Sequence, residues 1–207
     1  MRLRHIKGSE EKLQNSEYII KEPTKYKGKY KEIFKNNNKI QIEIGSGKGN
    51  FIVTKAINNP NINYIAVEKQ ASVLVKILDK IDNLPNLKIM QFDAIKIDEV
   101  FEKEIDKLYL NFSDPWPKNR HANRRLTSPV FLKKYENIFK NECQIELKTD
   151  NRNLFEYSLI TLSEENYKLK HVNLNLYENL DEDNIPTEYE TKFVAKGMII
   201  YKLKAYK

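Results

Sequence analysis

Apolar and polar positions along the chain switch repeatedly between two rhythms. KIQIEIG (39–45), INYIAVE (62–68), LKIMQF (87–92), DKLYLNF (106–112) and ECQIELKT (142–149) are short, apolar and rich in β-branched residues, and they predict five strands. Between them the spacing becomes helical. Helices are predicted over 48–58, 94–102, 129–141 and 151–163, and another carries Val73, Leu74, Ile77, Leu78 and Ile81 on one face. Pro60 and the Asn83–Asn86 stretch around Pro85 punctuate the alternation. Ser128 is the predicted N-cap of the 129–141 helix and Pro129 takes the favoured first position. YKLKHVNLNL (167–176) and GMIIYKLKAY (197–206) predict two further strands, separated by a loop over 177–193. Regular β–α alternation predicts an α/β, Rossmann-like domain: a mostly parallel seven-stranded sheet with helices on both faces.

Composition changes this picture in one place. The net charge of +7 is concentrated at the start, where residues 1–39 hold eleven Lys or Arg against five Asp or Glu. We therefore expect a basic N-terminal arm over 1–38, packed on or flanking a domain over 39–207, and such asymmetry suits a polyanionic partner. The single cysteine, Cys143, excludes an internal disulfide framework and suits a reducing, cytoplasmic setting. No apolar run approaches a membrane span, and the start lacks the apolar stretch of a secretory signal, so no membrane partner is expected. His5, His121 and His171 lie far apart, so no metal site is expected.

Two strand ends carry candidate chemistry. EIGSGKGNF (43–51) lies where the first strand yields to the first helix, and its Gly45, Gly47 and Gly49 allow a tight turn and a close ligand approach. The spacing is GxGxG rather than the GxGxxG of dinucleotide folds. Glu68 closes the second strand, 23 residues beyond Gly45, where an acid can take both hydroxyls of a ribose. Asp93 and Asp114 close the third and fourth strands, and Glu43 lies in the first. Four acids along this edge favour a cationic ligand, S-adenosylmethionine, over the pyrophosphate of NAD. The second stretch is NFSDPWPKNRHANRRL (111–126), where two prolines bracket the only tryptophan and Lys118, Arg120, His121, Arg124 and Arg125 follow without an acid. Lysine and arginine so placed can meet phosphates. Trp116 could serve as a core anchor or as a stacking platform, and the prolines holding it on both sides favour the core anchor.

EIGSGKGNF, NFSDPWPKNRHANRRL, KTDNRNLFEYSL (148–159) and TEYETKF (187–193), with the basic start MRLRH and the segment KYKGKY, resemble the bacterial tRNA (guanine-N7-)-methyltransferases, the TrmB family. The resemblance spans nearly the whole chain. It implies a class I methyltransferase fold, S-adenosylmethionine as methyl donor with S-adenosylhomocysteine as product, and N7 of a guanine in the tRNA variable loop as acceptor. Glu43, Glu68, Asp93 and Asp114 match the cofactor-contacting acids, with Asp114 also the catalytic residue. Lys118, Asp150, Thr187 and Glu190 match substrate positions, and Arg120, His121, Arg124 and Arg125 fall in the RNA-contacting segment. Many relatives have a second basic residue after the lysine of DPWPK, where this chain has Asn119; Ala122 and Asn123 thin the patch further. tRNA is the implied partner, with no obligatory protein partner and a monomer or homodimer as the assembly.

The acceptor chemistry agrees. Guanine N7 carries no proton at neutral pH, so no general base is required, whereas N1 and the exocyclic amine are donors that Asp150 and Glu190 could accept. As an aspartate at a strand–helix junction, Asp150 could equally be an N-cap, and Thr187 and Glu190 could be ordinary polar loop residues; every one of these readings predicts exposure. Three rival readings are a methyltransferase acting on an exocyclic amine of an RNA base, an NAD-dependent dehydrogenase, and an RNA-binding protein that kept the fold without the activity.

Overall fold

A computed structural model describes residues 6–207; the basic start MRLRH, with His5, lies outside the described residues. In chain order the elements are α1 (Ser9–Gln14), α2 (Tyr30–Phe34), β1 (Lys39–Ile44), α3 (Asn50–Asn58), β2 (Ile62–Glu68), α4 (Ala71–Leu74), β3 (Leu87–Gln91) and α5 (Ile97–Val100). β4 (Lys107–Asn111), α6 (Pro129–Ile138), β5 (Ile145–Thr149), α7 (Arg152–Glu164), β6 (Lys168–Asn173), α8 (Glu188–Val194) and β7 (Tyr201–Tyr206) follow. The seven strands form one sheet in the order β3-β2-β1-β4-β5-β7-β6. β7 runs antiparallel to both of its neighbours, and the other pairings are parallel. No helix among the described residues is long and apolar enough to cross a membrane.

Side-chain alternation divides the core into two layers. Ile42 and Ile44 of β1, Ile65 and Val67 of β2, Leu108 and Leu110 of β4 and Leu147 of β5 join one layer, with Phe131, Leu132 and Tyr135 of α6 packed among them. Tyr64 and Ala66 of β2, Ile89 of β3 and Tyr109 of β4 belong to the other, under Phe51 and Ile52 of α3. This second face is apolar beneath α3 and polar beyond it. Glu43, Asn111, Glu146, Lys148 and Lys202 all lie on strands and are all buried. The segment leading from β6 to α8 meets this polar half through ion pairs, Lys202 Nζ lying 2.7 Å from Asp181.

The segment before β1 is attached to the sheet. Ile20 N–H donates to Ile89 O and Ile89 N–H to Tyr18 O, at 2.9 Å each, so residues 18–20 cover the outer edge of β3. Tyr30 is wholly buried against Phe101 with ring centroids 4.6 Å apart.

Three local expectations need correction. The segment after β2 is not one α-helix: α4 covers four residues and a 3₁₀ turn continues over Val75–Lys80. Val73, Val75 and Ile77 are β-branched and weak helix formers, and Ile77 is pressed against the backbone of Gly49. The 94–102 helix is likewise shorter, a 3₁₀ turn over Ala94–Lys96 leading into α5. The predicted loop 177–193 contains α8, begun by a capping box in which Glu190 N–H donates to Thr187 Oγ1 (3.0 Å) and Thr187 N–H to Glu190 Oε2 (3.2 Å).

Candidate active site

The carboxyl ends of β1, β2 and β4 border a cleft of about 460 Å³, closed on its far side by the start of α8. Its floor is the β1–α3 turn, held to β2 by the N–H groups of Gly45 and Ser46, both donating to Val67 O. Gly47 has φ 57° and turns its N–H toward Glu68 Oε2 at 3.3 Å. A Cβ added at Gly45 or Gly47 would meet no atom within 4 Å, so both positions border open space. Gly49 is needed for packing instead, because a Cβ there would lie 2.5 Å from Ile77 Cγ1.

Glu43 is 1% exposed at the bottom of this cleft. Its Oε1 accepts from Asn111 Nδ2 at 2.8 Å, while its Oε2 has no partner; Asn111 Oδ1 and Ser46 Oγ are likewise buried and unpartnered. Burial pushes the Glu43 carboxyl up to about 8, against the opposing effects of the Asn111 hydrogen bond and the Lys148 charge. Three orphaned polar atoms gathered at one cleft are costly unless a polar ligand completes them. Glu68 accepts from the N–H groups of Gly47 (3.3 Å) and Gln70 (2.9 Å), and its carboxyl is also raised, chiefly by burial. Asp114 lies opposite at the mouth, exposed and, among the described residues, without an ion-pair partner. Asp93 stands apart in an adjoining recess of about 230 Å³, bonded to Lys69 Nζ at 2.7 Å and capping the next turn through Ile95 N–H. The Lys69 hydrogen bond holds its carboxyl below the usual range.

The DPWP turn is rigid and strained. Phe112 (φ 51°) and Trp116 (φ 42°) both occupy the left-handed region, which costs on the order of 1–3 kcal/mol each and persists only where neighbours enforce it. Phe112 is held by its N–H, which donates to Lys148 O at 2.8 Å, and Arg125 braces the Trp116 end of the turn. Its Nε donates to Pro115 O at 3.1 Å, its Nη2 to Trp116 O at 3.0 Å, and its guanidinium lies 4.2 Å over the Tyr157 ring. Trp116 is not the core anchor expected. It is half-buried beside the smaller recess, with Arg124 stacked 4.8 Å over its ring and His121 against its edge. Lys118 and Arg120 are exposed, and residues Asn119–Arg124 form a 3₁₀ turn. Ser128 does occupy the N-cap of α6, but its hydroxyl donates to Asn123 O (3.2 Å) rather than capping the helix.

The remaining candidates converge from β5 and α8. Asp150 is not the N-cap of α7; Asn151 is, accepting from Leu154 N–H at 2.8 Å. Asp150 instead accepts from Tyr189 Oη at 3.3 Å. Thr187 lines the cleft. Glu190 contradicts the expected exposure: it is completely buried, because Lys148 of β5 lies directly beneath it, Nζ to Oε2 2.5 Å. Sequence reasoning passed over Asn111, Lys148 and Tyr189. The first two were visible as polar residues at apolar positions of LYLN and IELKT, and Tyr189 as the aromatic inside a T-x-x-E capping box.

A glycine turn after β1, acids at successive strand ends and an antiparallel β7 inserted between β5 and β6 define a class I methyltransferase. Solved structures agree at the level of the fold. One titled an antibiotic-related methyltransferase superposes with a TM-score of 0.69 at 18% identity, covering 87% of this chain and 93% of that one. A 16S rRNA (adenine(1408)-N(1))-methyltransferase solved with its cosubstrate SAM gives 0.57 at 12% identity, covering 86% and 90%. A family model described as a putative methyltransferase matches residues 37–203. The tRNA (guanine-N(7)-)-methyltransferase of Streptococcus uberis is 50% identical over 100% of both chains, and that of Listeria welshimeri 52% identical over 99% of this chain and 98% of its own. The chain belongs to the tRNA (guanine-N(7)-)-methyltransferase family.

Proposed function

We infer that this protein transfers a methyl group from S-adenosylmethionine to N7 of a guanine in tRNA. The observation that carries the inference is full-length identity of about half to relatives bearing that name, in a chain whose cleft keeps the acids the chemistry needs. The cofactor fits the residues present. Glu43 Oε2, Asn111 Oδ1 and Ser46 Oγ are unused acceptors suited to an ammonium group, and each oxygen of Glu68 keeps a lone pair for a ribose hydroxyl. Open space beside Gly45 and Gly47 admits the body of the ligand, and the recess holding Asp93 adjoins it. Bound there, S-adenosylmethionine supplies an electrophilic methyl group on a sulfonium.

The chain's own residues then have three tasks. N7 of guanine is already a nucleophile, so none of them removes a proton. Asp114, held by the turn that Arg125 braces, places a negative charge beside the base as the base becomes cationic. Thr187, which lines the cleft, and Asp150, bonded to the cleft-lining Tyr189, are assigned to the guanine's other edge, which carries donors at N1 and the exocyclic amine. Lys118 and Arg120, exposed beyond the prolines, meet backbone phosphates; Arg124 presents a guanidinium already stacked on Trp116, while Arg125 acts through the turn.

Purified protein incubated with methyl-labelled S-adenosylmethionine and unmodified tRNA tests this reading. The expected labelled nucleoside is N7-methylguanosine. An N-methylamino product would move the acceptor to an exocyclic amine, and no incorporation would reject the function.

A further inference from the structure

Glu190 matches a position that the family resemblance assigns to substrate, yet its carboxylate has nothing left to offer a base. Oε2 accepts from Lys148 Nζ (2.5 Å) and Thr187 N–H (3.2 Å), and Oε1 from Tyr177 Oη (3.1 Å) and Asn184 Nδ2 (3.1 Å). A carboxylate has about four acceptor directions, and all are filled. Lys148 is equally committed: its ammonium donates to Glu190, to Ile185 O (2.8 Å) and to Asn184 Oδ1 (3.1 Å), which uses its three donors. Both side chains are sealed from solvent, at 1% and 0% exposure. The network is closed, so guanine could reach Glu190 only by breaking it.

The elements this pair joins are informative. Lys148 lies on β5 two residues before Asp150, and Glu190 follows Tyr189 on α8. Tyr189 lines the cleft, donates to Asp150, stacks on Phe193 with centroids 4.0 Å apart and leans on Phe112 at 5.0 Å. The sheet face beneath α8 carries the buried Glu146, Lys148 and Lys202, while Ile185, just ahead of the helix, joins the apolar cluster under α3. A directional buried ion pair fixes one register of a short helix where greasy contact would allow several.

We propose that Lys148 is a positioning residue for the methyl acceptor: paired with Glu190, it clamps α8 over the cleft so that Tyr189 and Asp150 meet the base, and Glu190 itself does not touch substrate. The proposal rests on the tRNA-guanine reading above.

A double-mutant cycle on the full chain tests it, with Lys148→Met, Glu190→Gln and the pair together. kcat and KM are measured on tRNA, and affinity and stoichiometry with S-adenosylhomocysteine by calorimetry. A displaced base-binding edge lowers kcat/KM by about 10²-fold. We expect both single variants to show this, mainly in kcat because phosphate contacts remain, with stoichiometry near one and a loss at least tenfold beyond any change in cofactor affinity. The double variant should be no worse than the poorer single. Glu190→Gln crippling the enzyme while Lys148→Met stays near wild type would overturn the clamp and restore Glu190 as a base reader; so would losses that multiply in the double. If the charged singles fail to fold, Tyr177→Phe removes one bond to Glu190, and Asn184→Ala removes one bond from Glu190 and one from Lys148 while leaving the ion pair itself in place. Those two should lower kcat severalfold with cofactor affinity retained, and unchanged turnover in both overturns the proposal. Wild-type protein that makes no N7-methylguanosine sinks the functional reading instead, independently of the clamp.

Discussion

Glu43→Gln should stabilise the free protein while weakening its hold on the cofactor. Glu43 is buried with one oxygen unpartnered, and its carboxyl titrates at about 8 in the folded state against an ordinary 4.5. Between these values the unfolded chain is ionised at this position and the folded chain is protonated. Folding therefore takes up a proton, and this group's contribution to stability falls as pH rises from 4.5 toward 8. At about 1.4 kcal/mol per unit, the penalty is near zero at the lower pH, about 3 kcal/mol at pH 7 and about 5 kcal/mol above pH 8. Glutamine keeps the shape and does not titrate. Thermal melts of the two proteins should coincide near pH 4.5 and separate at pH 7 by about 6–12 °C in the variant's favour, at about 2–4 °C per kcal/mol for a chain of this size. Groups remote from Glu43 titrate alike in both proteins, so the difference curve reports on Glu43 together with the Lys148 and Glu68 charges that act on it. The ammonium of S-adenosylhomocysteine should then ionise Glu43 on binding, so calorimetry at pH 7 in buffers of different ionisation enthalpy should record a proton released by the wild type and none by the variant. A stability difference that ignores pH, or equal proton release from both, would refute the account of Glu43 as an acid waiting for a cation.

Three further outcomes follow from the site. Asp114→Asn should lower kcat by at least about 10²-fold, well beyond any loss of S-adenosylhomocysteine affinity, since it removes charge from beside the reacting base; near-normal turnover with intact cofactor binding would remove Asp114 from its role. Arg125→Lys should fail to replace the wild type, because lysine cannot serve the Pro115 and Trp116 carbonyls with a planar fork; a fall in kcat/KM of about tenfold or more is expected, checked on tRNA at saturating cofactor. Lys118→Ala and Arg120→Ala should weaken tRNA binding across sequences and each reduce the slope of log affinity against log salt by about 1, read by titration at several ionic strengths.

The broad plan was legible in the chain because it depends on local rhythm. Strand ends put Glu43, Glu68 and Asp114 at one edge whatever the details of packing, and short apolar, β-branched runs predicted the strands. What the sequence concealed was partnership. Glu190 and Thr187 read as substrate contacts or ordinary polar loop residues; their T-x-x-E spacing does announce the capping box, but the burial of Glu190 against Lys148, distant in sequence, does not show there. Asp93, alike in sequence to Asp114, became a paired acid because Lys69 folds back onto it. Trp116, bracketed by prolines, looked fixed in a core; three-dimensional packing set it beside a recess under Arg124.

The sequence by itself determined the α/β order, the glycine turn, the acidic edge and the basic stretch behind the prolines, since each is a property of residue type at short spacing. Tertiary structure alone decided which charges are free. Arg120 and Arg125 are equivalent along the chain, yet one is exposed and the other is spent on two carbonyls and a tyrosine ring. The resemblance assigns both Asp150 and Glu190 to substrate, yet one keeps an open carboxylate and the other is saturated by four donors. Hydrogen-bond capacity is finite, and only the folded chain shows how much of it is already taken.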